Sequence, residues 1–280
     1  MRILIFGATG MLGKDLVRAF SAHEVRGLGS RDVDVCDPAR VLHTVQQIRP
    51  DWIVLSAAYT DVDGCEADPK RAFAVNRDGA GHVAQAASLS GARLMFVSSD
   101  YVFDGEKRTP YEVRDARNPI NVYGLSKAVA EERLLEIAPQ CCIVRTSWLF
   151  GAGGKCFPDT VLQLAKTRSE LKVVDDQRGC PTCTSDLARG MLELAERTAS
   201  GIVHATNQGS CSWFEFAQAV LSASPNIKVL PVTSAEFPRP AKRPSYSVLS
   251  DRSLRERSVA MPTWQDALTR YLRERSTNER

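Results

Sequence analysis

Along the first half of the chain, short apolar runs alternate with longer stretches whose apolar positions recur every three or four residues. Apolar runs fall at 3–6, 52–55 and 93–98, and further strands are predicted at 24–28, 33–35 and 142–146. Between them, Leu12, Leu16, Val17 and Phe20, then Val41, Leu42, Val45 and Ile48, repeat at helical spacing. Further helices are predicted at 65–90, broken near Asp68-Pro69, and at 122–137. Asp37 followed by Pro38 reads as an N-cap and first helical position. Runs that are apolar on both faces, separated by helices, describe a doubly wound parallel sheet.

Residues 103–121 turn to Gly, Pro, Asp, Arg and Asn, an excursion over the surface. Past Phe150 the alternation loosens. A glycine-rich loop at 151–155 precedes helices near 159–167 and 185–196, and strands near 171–174 and 202–205. Ser212-x-x-Glu215 is a capping box opening a helix to about 222. A proline-dense extended loop covers 230–244, and a last helix, 264–272, precedes a frayed tail at 273–280. The predicted fold is α/β: a Rossmann-type sheet domain over 1–150 and a smaller α/β lobe over 151–280, interleaved with the first. No internal repeat is visible.

The first strand ends in Gly7, Gly10 and Gly13, three apart, and the next helix starts at once. Gly7 permits the turn, Gly10 lets backbone approach a pyrophosphate, and Gly13 lets helix pack on strand. The open N–H groups of that helix then face the phosphates. At the end of the second strand, an acid suits the ribose hydroxyl of NAD and an arginine suits the 2′-phosphate of NADP. Arg31 in that place points to NADP(H), with NAD(H) the alternative and a plain surface arginine the bland one.

Composition narrows the classes. The 280 residues carry 36 Lys and Arg against 33 Asp and Glu, a net charge of +3 spread along the chain. That is unlike the basic stripe of a nucleic-acid binder. No run nears the ~18 apolar residues of a membrane span, and the chain opens on a core strand instead of a leader, so a cytoplasmic protein is expected. The eight cysteines lie mostly in apolar elements and read as free. Cys180-Pro181-Thr182-Cys183 could be a redox pair or half a zinc site. With no second pair and scattered histidines, ordinary loop residues are the simpler reading.

Tyr123 and Lys127 stand four apart on one helix and share a face. An ammonium beside a tyrosine stabilises its phenolate and draws its pKa from near ~10 toward the working range. Ser99, at the carboxyl end of a central strand, can donate its hydroxyl to a carbonyl oxygen that gains charge. The glycine turn, the Ser98-Ser99-Asp100-Tyr101 strand end and the Tyr123/Lys127 helix occur in the order a carbonyl reductase needs. In 230–244, Arg239, Lys242 and Arg243 make either a docking edge for a diphosphate or a basic surface linker.

Several segments then resemble one family. They are Ala57-Ala58-Tyr59-Thr60-Asp61-Val62-Asp63, Val97-Ser98-Ser99-Asp100-Tyr101-Val102-Phe103, Asn121-Val122-Tyr123-Gly124, Arg145-Thr146-Ser147-Trp148, the run from Asp176 to Thr182, and Arg243-Pro244 with Ser247-Val248-Leu249. Together they resemble the dTDP-4-dehydrorhamnose reductase family of extended short-chain dehydrogenases/reductases over nearly the whole chain. The resemblance implies NAD(P)H-dependent reduction of the C4 ketone of a dTDP-linked 6-deoxysugar. It implies Tyr123 as proton donor, Lys127 as its partner and Ser99, where the family usually has threonine, as carbonyl polariser. Met11, Leu12, Gly13, Asp34, Val35, Ala57, Ala58 and Tyr59 would line the cofactor, and Ser99, Asp100 and Trp148 would face the sugar.

Some family members are magnesium-dependent homodimers that use an acid of the first helix, here Asp15. Read from the residues, Asp15 is a helix-dipole partner in the first turn. A reductase or epimerase for another nucleotide sugar, or a non-enzymatic NADP-binding regulatory subunit, are the competing functions. A dehydratase is disfavoured, because Ser99-Asp100 is followed by Tyr101 with no second acid.

Overall fold

The computed structural model describes residues 1–224 and 226–278. Five predicted runs, Arg2–Phe6 (β1), Glu24–Leu28 (β2), Trp52–Leu55 (β3), Arg93–Ser99 (β4) and Cys142–Thr146 (β5), are parallel strands of one sheet. A strand from the second half, Gly201–His204, pairs with β5 and completes it. Across the sheet the order is Gly201–His204, β5, β4, β3, β1, β2. The chain therefore starts inside the sheet, steps to one edge and returns past β1 to build toward the other. A crevice opens where the order reverses, at the carboxyl ends of the strands.

Residues 33–35 do not form the predicted strand. Asp32 accepts the Gly29 N–H at 2.8 Å, the Asp34 carboxylate accepts the Cys36 N–H at 2.9 Å, and the Asp34 carbonyl takes the Asp37 N–H at 3.0 Å. These successive turn bonds satisfy the backbone locally and outweigh the β-branched side chains. Val33 and Val35 are still buried, in the layer that holds Leu4 and Val41.

The helices follow their caps. Met11–Ala19 (α1) opens after Gly10, and Pro38–Ile48 (α2) is capped by Asp37, which accepts the Arg40 N–H at 3.0 Å. The long helical region divides into Val62–Ala67 (α3), Pro69–Phe73 (α4), a π-helical turn Ala74–Gly79, and Ala80–Ser90 (α5). Asp68 breaks it by capping α4 through Arg71. Asn121 caps Val122–Ile137 (α6) through the Gly124 N–H at 2.7 Å.

Alternate strand residues feed two cores. Ile3, Ile5, Val54, Met95 and Val144 meet α1 and the later helix Thr184–Glu196, whereas Leu4, Phe6, Ile53, Phe96 and Ile143 meet α2, α5 and α6. A third core, with Phe150, Val161, Leu171, Phe216, Trp264 and Leu268, sits among Phe157–Ala165 (α7), Trp213–Val220 (α9, the helix after α8 at Thr184–Glu196) and the last helix, Trp264–Asn278. The stretch from 230 begins as a strand, Lys228–Val232, paired with Glu170–Val174, and only then becomes extended loop.

The last helix outruns the predicted end and takes in residues expected to fray. Arg270 bridges Asp186 at 2.6 Å and Asp266 at 2.9 Å, while Tyr271 and Arg275 reach Asp159 at 2.7 and 3.0 Å. Residues 279 and 280 of the expected tail lie outside the described residues. Among the described residues no helix is long and apolar enough to cross a membrane.

Candidate active site

Two adjoining hollows occupy the crevice. The first, of about 460 Å³, is lined by Gly7, Gly10 to Gly13, Ser99, Asp100, Tyr123, Lys127, Thr146 and Trp148, with Lys155 and Trp213 from the second half. The second, of about 550 Å³, is lined by Gly7, Gly10, Ser30, Asp34, Val35, Ala57, Ala58, Tyr59 and Arg71. Gly7, Gly10, Ser56 and Ala58 belong to both, so one elongated ligand can run from one into the other.

The glycine turn has no room for side chains. Gly7 has φ +87, and a Cβ there would stand 2.5 Å from the Ala57 nitrogen; one on Gly13 would stand 2.0 Å from the Gly7 carbonyl. At the start of α1, Gly10 provides no side-chain cap and the first turn holds no acid. The leading N–H groups of α1 are thus open to an anion, which fits the pyrophosphate of a dinucleotide.

Arg31 does not join this lining. It is exposed, whereas Ser30 and Arg71 face the second hollow, Arg71 lying 4.4 Å over the Tyr59 ring. Asn76, in the π-helical turn, holds the same wall: its side chain accepts the Tyr59 N–H at 2.8 Å and donates to the Tyr59 carbonyl and to the Ser126 hydroxyl. It ties the cofactor loop to α6 between Tyr123 and Lys127. Single π turns commonly mark functional sites, but nothing in the apolar spacing announces one.

Ser99, Tyr123 and Lys127 do converge on the first hollow. Ser99 donates to Asp100 at 3.0 Å and accepts the Tyr101 N–H at 3.2 Å. The Tyr123 ring packs edge-on against Tyr101, 5.9 Å between centroids. Lys127 is buried; its Nζ donates to the Val97 carbonyl at 2.7 Å and lies 4.0 Å over the Phe96 ring.

Burial pushes the Lys127 ammonium down to about 7 while Glu131 pulls it up. Burial, with the Asp100 charge, also pushes the Tyr123 hydroxyl up, against the lowering effect of Ser99. The expected draw of Lys127 is not among the effects acting on Tyr123. Desolvation wins, and Tyr123 is held as the neutral acid. Asp100, buried, is raised by desolvation to about 7, held back by the Ser247 and Ser99 hydroxyls.

Behind these groups, Glu131 accepts from Ser98 at 2.6 Å and from Arg145 at 2.9 and 2.6 Å. This buried pair joins α6 to the ends of β4 and β5. Trp148 follows β5 with φ +46, a left-handed conformation rare for a bulky residue. Two contacts hold it there: its carbonyl takes the Thr182 N–H at 3.2 Å, and its ring lies so close to Gly179 that a Cβ would come within 2.5 Å.

Arg243 is not itself in the lining, though it reaches Tyr101, which is. Its guanidinium binds Asp63 at 2.6 Å, Arg239 binds the same carboxylate at 2.6 and 2.9 Å, and Asp63 is held well below the usual carboxylate range, chiefly by Arg243. Asp63 thus holds the basic loop against α3, and among the described residues Lys155 is the cation of the second half that lines the cleft.

Asp15 is buried in the second turn of α1, not the first, and its oxygens are taken by Arg18 at 2.9 Å and Thr184 at 2.5 Å. Among the described residues no three metal-ligating side chains gather. Cys180 and Cys183 are buried free thiols, Cys180 raised by burial to about 11.

A doubly wound sheet with this glycine turn, and a serine, tyrosine and lysine at its carboxyl edge, defines a Rossmann-type protein of the short-chain dehydrogenase/reductase class. The family described as RmlD substrate binding domain matches residues 1–277. The chain belongs to this family, that of the dTDP-4-dehydrorhamnose reductases.

A spore coat polysaccharide biosynthesis protein, SpsK of Bacillus subtilis, is 39% identical over 279 residues, covering 99% of this chain and 98% of that one. The dTDP-4-dehydrorhamnose reductase of Clostridium acetobutylicum has the same fold at TM-score 0.96 and 38% identity, covering 99% of this chain and 100% of that one. The Bacillus anthracis reductase, solved in complex with NADP, gives TM-score 0.94 and 40% identity, covering 98% of this chain and 99% of that one.

Proposed function

We propose that this protein reduces the C4 ketone of a dTDP-linked 4-dehydro-6-deoxysugar, dTDP-4-dehydrorhamnose, to the alcohol with NADPH, in the cytoplasm. The observation that carries the reading is the shared wall of the two hollows, which sets the glycine turn beside Ser99 and Tyr123. Bound there, the cofactor supplies the hydride. The remaining work belongs to the chain. Ser99 donates its hydroxyl to the carbonyl oxygen as charge builds on it. Tyr123, kept protonated by burial, gives that oxygen its proton. Lys127, anchored on the Val97 carbonyl and lining the same hollow, is placed to donate to the ribose hydroxyls of the cofactor.

The part of the chain beyond 150 acts as the substrate lobe, contributing Lys155 and Trp213 to the cleft. Lys155 replaces Arg243 as the cation for the diphosphate. NADPH oxidation against dTDP-, UDP- and GDP-linked 4-ketosugars tests the reading. Turnover is expected with the dTDP-sugar, and equal or better turnover with the UDP- or GDP-sugars would overturn the substrate.

A further inference from the structure

Thr146 ends β5 and pairs in register with Ser99 at the end of β4. Residues paired across a sheet project to the same face, and the next pair to the opposite one. The pair one step back, Ser98 and Arg145, both turn to α6 and reach Glu131. Ser99 and Thr146 accordingly project together from the opposite face, and both line the first hollow. Thr146 is only 4% exposed, yet among the described residues its Oγ1 has no hydrogen-bond partner. Beside it, Asp100 is 2% exposed and also in the lining, its carboxylate held by the Ser99 and Ser247 hydroxyls. Folded proteins seldom leave a buried hydroxyl unmatched, and one that lines a cleft fits a polar ligand.

We propose that Thr146 binds a ring hydroxyl of the sugar beside the reacting carbonyl, and so sets a preference for sugars that carry it. This rests on the ketosugar-reductase reading above. With Ser99 on the carbonyl oxygen, the neighbouring strand about 4.8 Å away places Thr146 at the adjoining ring substituent. A threonine needed only for packing would be matched by valine, which has its shape without its hydroxyl.

The experiment is Thr146→Val, assayed with a dTDP-4-ketosugar bearing the adjacent hydroxyl and with its 3-deoxy analogue. For the hydroxylated sugar KM is expected to rise about tenfold, the loss of one hydrogen bond, with kcat less affected. The Kd for NADPH should stay unchanged, and Tm should hold or rise, since an unmatched buried hydroxyl has gone. On the deoxy analogue variant and wild type should coincide. An unchanged KM for the hydroxylated sugar, or equal loss on both sugars, overturns the proposal. Thr146→Ser, which keeps the hydroxyl, is expected to keep the wild-type KM, and failure there overturns it too. A wild type that turns over neither sugar brings down the reductase reading, and this proposal with it.

Discussion

Trp148 lies flat on Trp213, with ring centroids 3.6 Å and planes 6° apart. One ring comes from the end of the sheet half and the other from the first turn of α9, so the stack is both a seam between the halves and an apolar wall of the cleft. A stacked pair contributes roughly 0.5–1.5 kcal/mol beyond its burial. Replacing Trp213 by leucine should raise KM for the nucleotide sugar about threefold to tenfold and leave NADPH binding alone. Steady-state rates with each substrate varied in turn will tell, and an unmoved sugar KM would reduce Trp213 to a helix-start residue.

Tyr123→Phe keeps the ring against Tyr101 and removes the proton. We expect a folded protein that binds NADPH and turns over at least ~100-fold more slowly, the usual worth of a positioned acid. Activity within about tenfold of wild type, ~1.4 kcal/mol of barrier, would remove Tyr123 from the mechanism.

Lys127 has a thermodynamic signature of its own. Its folded pKa is about 7 against an ordinary value of 10.5. Between those values the unfolded chain binds the extra proton, so this group makes stability rise with pH across that window. Thermal melts at pH 7 and 9 should show wild type gaining Tm relative to Lys127→Met, in which that rise is absent. The buried thiols titrate the other way, but they are common to both proteins and cancel in the comparison. Parallel melting curves would mean that Lys127 is not desolvated in solution.

For the cofactor, Arg71 replaces Arg31 as the expected reader of the 2′-phosphate. Losing a hydrogen bond to a charged group costs ~1.5–3 kcal/mol, so Arg71→Ala should weaken NADPH at least tenfold while scarcely touching NADH. Arg31→Ala should do less. Calorimetric titration of both variants with both cofactors decides it, and the reverse ranking would restore Arg31.

What could be read from residues alone differs by site for physical reasons. Val122–Ile137 and Cys142–Thr146 run between their predicted ends, because an asparagine cap and the apolar start Cys142-Ile143-Val144 are local signals. That Ser99, Tyr123 and Lys127 line one hollow is legible in the sequence, because strand ends and helix faces follow from short periodicities. That Arg31 and Arg243 stay out of the cleft lining is not legible locally, because the direction of a loop arginine depends on partners far along the chain, as with Asp63, 180 residues from Arg243. Residues 33–35 looked like a strand because β-branching outshone the aspartates that turn the backbone. Thr146 required strand register, which no single stretch of sequence contains.

The strand Gly201–His204 has a consequence for how the molecule is made. Until it emerges from the ribosome, the outer edge of β5 offers bare backbone groups to any passing strand, and α1 lacks the cover of Leu187 and Met191. At about 5–20 residues per second this exposure lasts several seconds per molecule. A nascent chain halted near residue 150 would be sticky and not yet native, so the glycine turn, synthesised first, gains its final footing only when most of the chain is out.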